Sequence, residues 1–362
     1  MSKKIKALIA VGGTGGHVFP GCNLALHLLK KNYDVILTTD KRGHKFLQNF
    51  SNLDIHILPS SPINKKNIFS KIFSLITIIY SIFRSVFFLL LNRPSIVFGM
   101  GGYASFPICI AAKFLNIRFL IYENNLVVGK ANNFLLPFAE KILVSYEELE
   151  GISKQYQHKI FLSGNIIKKE IINFTKKKTS EKKISFLVLG GSQAAKTFAE
   201  ILPNIFKKCK TSRIPIKIFQ HCLSSQNEKL KEFYKKANID FEIFNFSDNL
   251  IDYFSKIDLA ITRSGSSILA ELTNANIPFI SIPLPSSADN HQFKNAEYYQ
   301  RKNFAFLVEE KNLNSQLLSL IEDIYRDYKI LDKLMLNQRQ YSDKNVYNNI
   351  DRLLKEMINE KN

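Results

Sequence analysis

A strand that runs straight into two glycine pairs and then a helix constrains this chain more than any other feature. Residues 5–11 form an apolar run, and Val11-Gly-Gly-Thr-Gly-Gly-His-Val-Phe-Pro20 follows directly. Pro20 falls near the first turn of the predicted helix, and Leu24, Leu28 and Leu29 mark its apolar face. Such a unit aims backbone N–H groups and the positive end of a helix dipole at one small volume. A strand this apolar needs a parallel sheet covered on both faces. His17 places a titratable imidazole at the edge of the same volume.

Apolar runs recur at α/β spacing over 35–39, 55–58, 96–99, 119–122 and 142–145. A charged connector, Lys176-Lys-Lys-Thr-Ser-Glu-Lys-Lys183, then precedes a repeat of the opening: Lys183-Ile-Ser-Phe-Leu-Val-Leu-Gly-Gly-Ser192. Further strands are predicted over 216–219, 241–244, 259–262, 279–282 and 305–308, and an amphipathic helix near the end of the chain. At 362 residues the chain can build two cores. The predicted architecture is α/β: one domain over 1–163, a second over 164–342, and the 343–362 helix packing back on the first.

A formal charge of +19 favours an anionic partner, whether a phosphorylated substrate or an acidic lipid surface. Nucleic acid is a further anionic partner such a charge could meet, but the sequence carries no nucleic-acid-binding signature, so none is expected. Cys22, Cys109, Cys209 and Cys222 form no C-x-x-C pair, which points to reduced, cytosolic thiols. The apolar run before the first glycines is too short for a secretory signal. Residues 68–91 approach the length of a membrane span, but Arg84 would lie well inside it. A spanning helix would also place strands of one sheet on opposite sides of a bilayer. Two readings remain open: a helix laying Phe and Ile on an anionic membrane surface, or a long core helix with a greasy exterior.

A dinucleotide fingerprint fits the first loop badly, because Val18 stands where G-x-G-x-x-G needs a small residue, although Asp40 could still serve a ribose. No glycine run is followed by Lys and Ser or Thr, which excludes a Walker loop. A second strand–glycine–helix site follows at Phe98-Gly-Met-Gly-Gly-Tyr-Ala-Ser105, and Glu123-Asn124-Asn125 ends another strand. In the second half, Gly190-Gly191-Ser192-Gln193 could hold a phosphate. Thr262-Arg-Ser-Gly-Ser-Ser267 leads to Glu271, a carboxylate able to accept both hydroxyls of a ribose. Asp289-Asn-His-Gln292 closes a rigid Pro283-Leu-Pro285 loop. Together these ends point to a nucleotide-diphosphate donor in an interdomain cleft. With no D-x-D and no histidine pair at ligand spacing, neither metal nor cofactor is expected, leaving helix termini to stabilise the leaving group.

The motifs Gly-Gly-Thr-Gly-Gly-His-Val-Phe-Pro-Gly over 12–21, Gly101-Gly102-Tyr103, Gly190-Gly191-Ser192-Gln193 and Arg263-Ser264-Gly265 occur in the order of one known family. The chain resembles the MurG family of peripheral-membrane glycosyltransferases in peptidoglycan synthesis. That resemblance runs nearly end to end and implies a GT-B fold, two Rossmann-like domains with parallel sheets facing across a cleft. It also implies inverting, metal-independent transfer of GlcNAc from UDP-GlcNAc to lipid I at the cytoplasmic face of the cell (inner) membrane.

Carried over by motif, His17 is the candidate base, which a helix N-terminus would keep neutral. Thr14, Gly15, Gly16, Asn125, Lys168, Ser192, Ser247, Ser266, Ser267, Ile268, Glu271, His291 and Gln292 are expected on UDP-GlcNAc, with Glu271 on the ribose. Gly101, Gly102 and Tyr103 are expected at the acceptor diphosphate. The chain departs from the family at Lys168, where a bidentate arginine becomes a point charge, and at Ala194, where glycine is usual. It departs again at Gln220-His221, an inverted pair. The rivals are a GT-B transferase acting on another lipid, a dinucleotide oxidoreductase and a non-catalytic nucleotide-sugar binder.

Overall fold

A computed structural model describes residues 4–61, 68–176, 183–245 and 250–359, without the side chains of 68, 70, 192–195, 358 and 359. The chain forms two compact units, Met1–Ile167 with Asp343–Asn362, and Lys168–Ser342. Each is a doubly wound α/β unit built on a wholly parallel sheet.

In the first unit the strands are β1 (Lys6–Ala10), β2 (Asp34–Thr39), β3 (Asp54–Ile57), β4 (Ile96–Gly99), β5 (Phe119–Glu123), β6 (Lys141–Val144) and β7 (Ile160–Leu162). Their order is β3-β2-β1-β4-β5-β6-β7. The second unit contains β8 (Ile184–Leu189), β9 (Ile216–His221), β10 (Asp240–Phe244), β11 (Leu259–Arg263), β12 (Phe279–Ile282) and β13 (Phe306–Leu307), ordered β10-β9-β8-β11-β12-β13. Both sheets reverse direction beside their first strand, so the loops after β1 and β4, and after β8 and β11, lie next to each other. Such switch points are where α/β sheets place ligands. Sequence reading missed β7, because three apolar residues between His158-Lys159 and Ser163 are too short a run to stand out.

The first unit extends to Ile167, four residues beyond the predicted boundary, for a bonding reason. Asp343 accepts from the Asn165 backbone N–H at 2.8 Å and from its amide at 3.3 Å. Ile166 N–H donates to the Tyr122 hydroxyl, Asn23 donates to the Ile166 carbonyl, and the Tyr347 hydroxyl donates to the Ile167 carbonyl. The terminal helix Val346–Asn359 buries the stripe Val346, Tyr347, Ile350, Leu353, Leu354 and Met357. Within the first unit, His27 donates from Nε2 to Asp351 at 2.7 Å, and Tyr347 lies against the His27 ring.

The helix Ile68–Asn92 reverses the usual pattern. Its buried stripe is Ser74, Ile78, Ser81, Ser85 and Leu89, while Phe69, Phe73, Phe83, Phe87 and Leu91 are all more than 60% exposed. Arg84 also faces outward. Small residues inward allow close packing on the neighbouring helix Gly102–Phe114, while the large apolar residues on the outward face are exposed. Both readings of this helix fit that pattern, with one face packed on the unit and the other apolar and exposed. Among the described residues, this is the one helix long and apolar enough to cross a membrane.

Candidate active site

The glycine loop after β1 is shaped by a buried carboxylate. Asp40, 4% exposed, accepts Gly13 N–H at 3.0 Å and Gly43 N–H at 2.8 Å through Oδ1, and the Tyr103 hydroxyl at 3.1 Å through Oδ2. Gly13 adopts φ +78°, a left-handed conformation glycine takes without steric cost. These bonds occupy Asp40, so it is a brace between the two glycine loops and not a ribose ligand. Arg42, exposed, donates to the Tyr103 hydroxyl at 3.0 Å. Burial and the Asp40 charge push the Tyr103 phenol upward.

His17 is the third residue of the helix Gly15–Lys30 and lies against the second loop. A Cβ on Gly101 would come within 3.0 Å of His17 Nδ1, and one on Gly102 within 3.3 Å of Cδ2. With φ at +90° and +71°, these two positions favour glycine for conformation, and a Cβ at either would crowd the His17 ring. The adjacency of β1 and β4, with Ala10 opposite Gly99, brings the imidazole to this backbone. Thr14 is the N-cap residue of that helix, yet its exposed hydroxyl makes no capping bond.

A third loop joins them from β5. Asn124 donates to the Gly16 carbonyl at 2.9 Å. Glu123, 2% exposed, accepts from Asn125 N–H and amide at 3.0 Å each, Gly129 N–H at 2.8 Å and the Asn132 amide at 2.9 Å. Within the first unit, Thr14, Gly15, Gly16, His17, Gly101, Gly102, Tyr103 and Asn125 thus share one cluster of strand-end loops.

In the second unit, Gly190 and Gly191 open the helix Gly191–Thr211, with Gly191 at φ +64° and open space around it. The Ser192 side chain and the whole of Ser247 lie outside the described residues. Ser266, Ser267 and Ile268 form the first turn of the helix Ser266–Asn274, after Gly265. Glu271 follows in its second turn. It keeps partial access to solvent, yet the protein around it pushes its carboxyl up to about 7, and the Lys168 ammonium opposes that rise. Lys168 is therefore an electrostatic partner of Glu271 within this unit. His291 shares its Nδ1 with the Ala288 carbonyl at 2.6 Å, so in the neutral ring Nδ1 carries the proton. Gln292 accepts Leu284 N–H through Oε1 at 3.0 Å.

Of the inverted pair, Gln220 is fully buried and accepts from the Tyr234 hydroxyl at 2.5 Å, and burial lowers the His221 imidazole. Sequence reading gave no role to Glu123 as a loop organiser, to Arg42 or to Arg263. Asp40 was legible in principle, because Asp-x-x-Gly is a common pattern for a side chain capping its own turn.

Both units match models of one enzyme class: the Glycosyltransferase family 28 N-terminal domain over residues 7–144 and the Glycosyltransferase family 28 C-terminal domain over 185–353. A solved structure of Acinetobacter baumannii MurG superposes with a TM-score of 0.76 at 23% identity, covering 97% of this chain and 99% of that one. A structure of a putative UDP-N-acetylglucosamine 2-epimerase from Listeria monocytogenes gives 0.64 at 16%, covering 99% and 98%. At these identities the likeness shows the fold, GT-B. A Pelagibacter ubique protein is 36% identical over 99% of this chain and its own full length; one from Rickettsia felis is 33% identical over 92% and 94%. Both are named UDP-N-acetylglucosamine--N-acetylmuramyl-(pentapeptide) pyrophosphoryl-undecaprenol N-acetylglucosamine transferase, and the chain belongs to that family of glycosyltransferases.

Proposed function

We propose that this chain transfers N-acetylglucosamine from UDP-GlcNAc to the C4 hydroxyl of N-acetylmuramic acid in lipid I, with inversion, giving lipid II and UDP. The acceptor oxygen bonds to the anomeric carbon as the bond from that carbon to the diphosphate breaks. The bonding pair leaves with UDP, and the acceptor proton passes to His17. The observation that carries this reading is the His17 ring seated on Gly101–Gly102, a base among N–H donors suited to a phosphorylated acceptor. Glu271 accepts the ribose hydroxyls, Lys168 and Ser192 meet the diphosphate, and His291 with Gln292 faces the sugar. Ser247 belongs to the uracil end of the same site.

The same reading places the enzyme peripherally on the cytoplasmic leaflet. Its support is the outward apolar face of Ile68–Asn92 together with charge: residues 55–122 contain no Asp or Glu but include Lys65, Lys66, Lys71, Arg84, Arg93, Lys113 and Arg118. Replacing Phe83 and Phe87 together by Ser removes two side chains each able to contribute about 1.5–3 kcal/mol on burial. Binding to anionic vesicles is expected to weaken at least about tenfold, and an unchanged partition coefficient refutes this placement.

His17→Ala, assayed by UDP release at saturating substrates, is expected to lose roughly 10²–10⁴-fold in kcat, with donor KM little changed. Retention of most of the turnover removes the base role.

A further inference from the structure

Arg263 ends β11 with its side chain in the core, 5% exposed, where a cation is costly. Its Nη1 donates to the carbonyls of Ile282 at 3.3 Å and Pro283 at 3.2 Å. Nη2 pairs with Glu310, and the guanidinium lies 4.6 Å from the Phe198 ring centroid. Nε is buried with no partner among the described residues. A core needing only stability is served better by an apolar residue of that volume, since an unsatisfied buried donor costs roughly 1–3 kcal/mol. The contacts instead converge on one place, the exit of β12.

That exit is the segment Pro283-Leu284-Pro285, in which Leu284 has the one backbone N–H. Gln292 accepts that N–H. The segment is thus held at its start by Arg263 and in its middle by Gln292, from the first turn of the helix His291–Arg301. On another side it borders a recess of about 430 Å³ reached by Asn290, Phe293 and Lys311, so no packed core backs it there. The RSG segment is also keyed to the same helix: fully buried Asn295 donates to the Ser264 carbonyl at 3.2 Å, and the Ser264 and Ser281 hydroxyls lie 2.7 Å apart.

We infer that Arg263 is a positioning residue for donor-sugar recognition, acting through Pro283 and Leu284 to fix the Gln292 side chain. This rests on the reading that the second unit binds UDP-GlcNAc with Gln292 at the sugar. Lysine in place of Arg263 keeps the charge but cannot span two carbonyls and Glu310 in one plane. Freed of that hold, Leu284 shifts and Gln292 loses its orientation, while the nucleotide end of the site is untouched.

The test is a double-mutant cycle on the full chain, R263K with Q292A, measuring binding of UDP-GlcNAc and of UDP by calorimetry. R263K is expected to weaken UDP-GlcNAc about tenfold and UDP less than twofold. In the Q292A background, R263K should cost no further UDP-GlcNAc affinity. Equal losses for both ligands, unchanged UDP-GlcNAc binding, or additive effects in the cycle overturn the inference. If R263K loses its cooperative thermal transition, the cycle is run with E310Q, which keeps the guanidinium and removes its counter-ion; the same outcomes decide. Failure of the wild-type chain to bind UDP-GlcNAc would instead sink the donor reading beneath it.

Discussion

Glu123 and Glu271 are two carboxyls set near strand ends, one in each unit, and they are treated in opposite ways. Glu123 is enclosed by four N–H donors from Asn125, Gly129 and Asn132. Glu271 is half-buried with no hydrogen-bond donor on its carboxyl among the described residues, and desolvation pushes it up to about 7 against the pull of Lys168. The first has its lone pairs engaged by its own loop and so acts as scaffold. The second holds its acceptor capacity in reserve, at a cost in stability that a ligand with hydroxyl donors would relieve. Proximity to a sheet edge does not separate the two roles; the count of internal donors does.

The larger effect lies with the scaffold. Glu123→Ala strands four donors in a site 2% exposed. With roughly 1–3 kcal/mol for each buried donor left unsatisfied, and water entering to recover part of it, a net loss of about 3–5 kcal/mol is expected. At about 2–4 °C per kcal/mol, the melting temperature of the first unit falls by roughly 10 °C. Thermal unfolding measures it, and a shift below about 2 °C would mean that the loop does not depend on this carboxylate.

How much of this was legible in the sequence follows from the same contrast. Parallel strands show themselves as apolar runs, so twelve of the thirteen strands fall within two residues of a run read from the sequence; β7 is too short to stand out, and the β13 ladder is shorter than its apolar run. The glycine loops were legible because Gly101 and Gly102 answer to local backbone geometry as well as to His17. What stayed hidden is set by partners far along the chain. Asp40 reads as a free acid until Tyr103, 63 residues on, is found on its second oxygen. Asp343 looks like the start of a tail helix until Asn165 is found bonded to it. The inside-out stripe of Ile68–Asn92 was half visible, since its serines recur at helical spacing, but which face is buried depends on the Gly102–Phe114 helix beside it.

Glu271→Gln gives the smaller and more discriminating effect. A carboxyl whose folded-state pKa is raised binds more protons folded than unfolded. Its penalty is therefore absent below the unfolded value near 4.5, grows between 4.5 and about 7, and is complete above that. Glutamine removes the penalty. The variant should match the wild type near pH 4.5 and exceed it at pH 8 by about 1–2 kcal/mol, discounted for the residue's partial exposure. Hydroxyl donors on the ribose favour the ionised carboxylate, so wild-type affinity for UDP-GlcNAc should fall about tenfold from pH 8 to pH 5.5. The Gln variant should bind more weakly at pH 8 and vary little with pH. A variant that is no more stable at pH 8, yet keeps the wild-type pH dependence of binding, would show that Glu271 is scaffold after all, and the contrast with Glu123 would be lost.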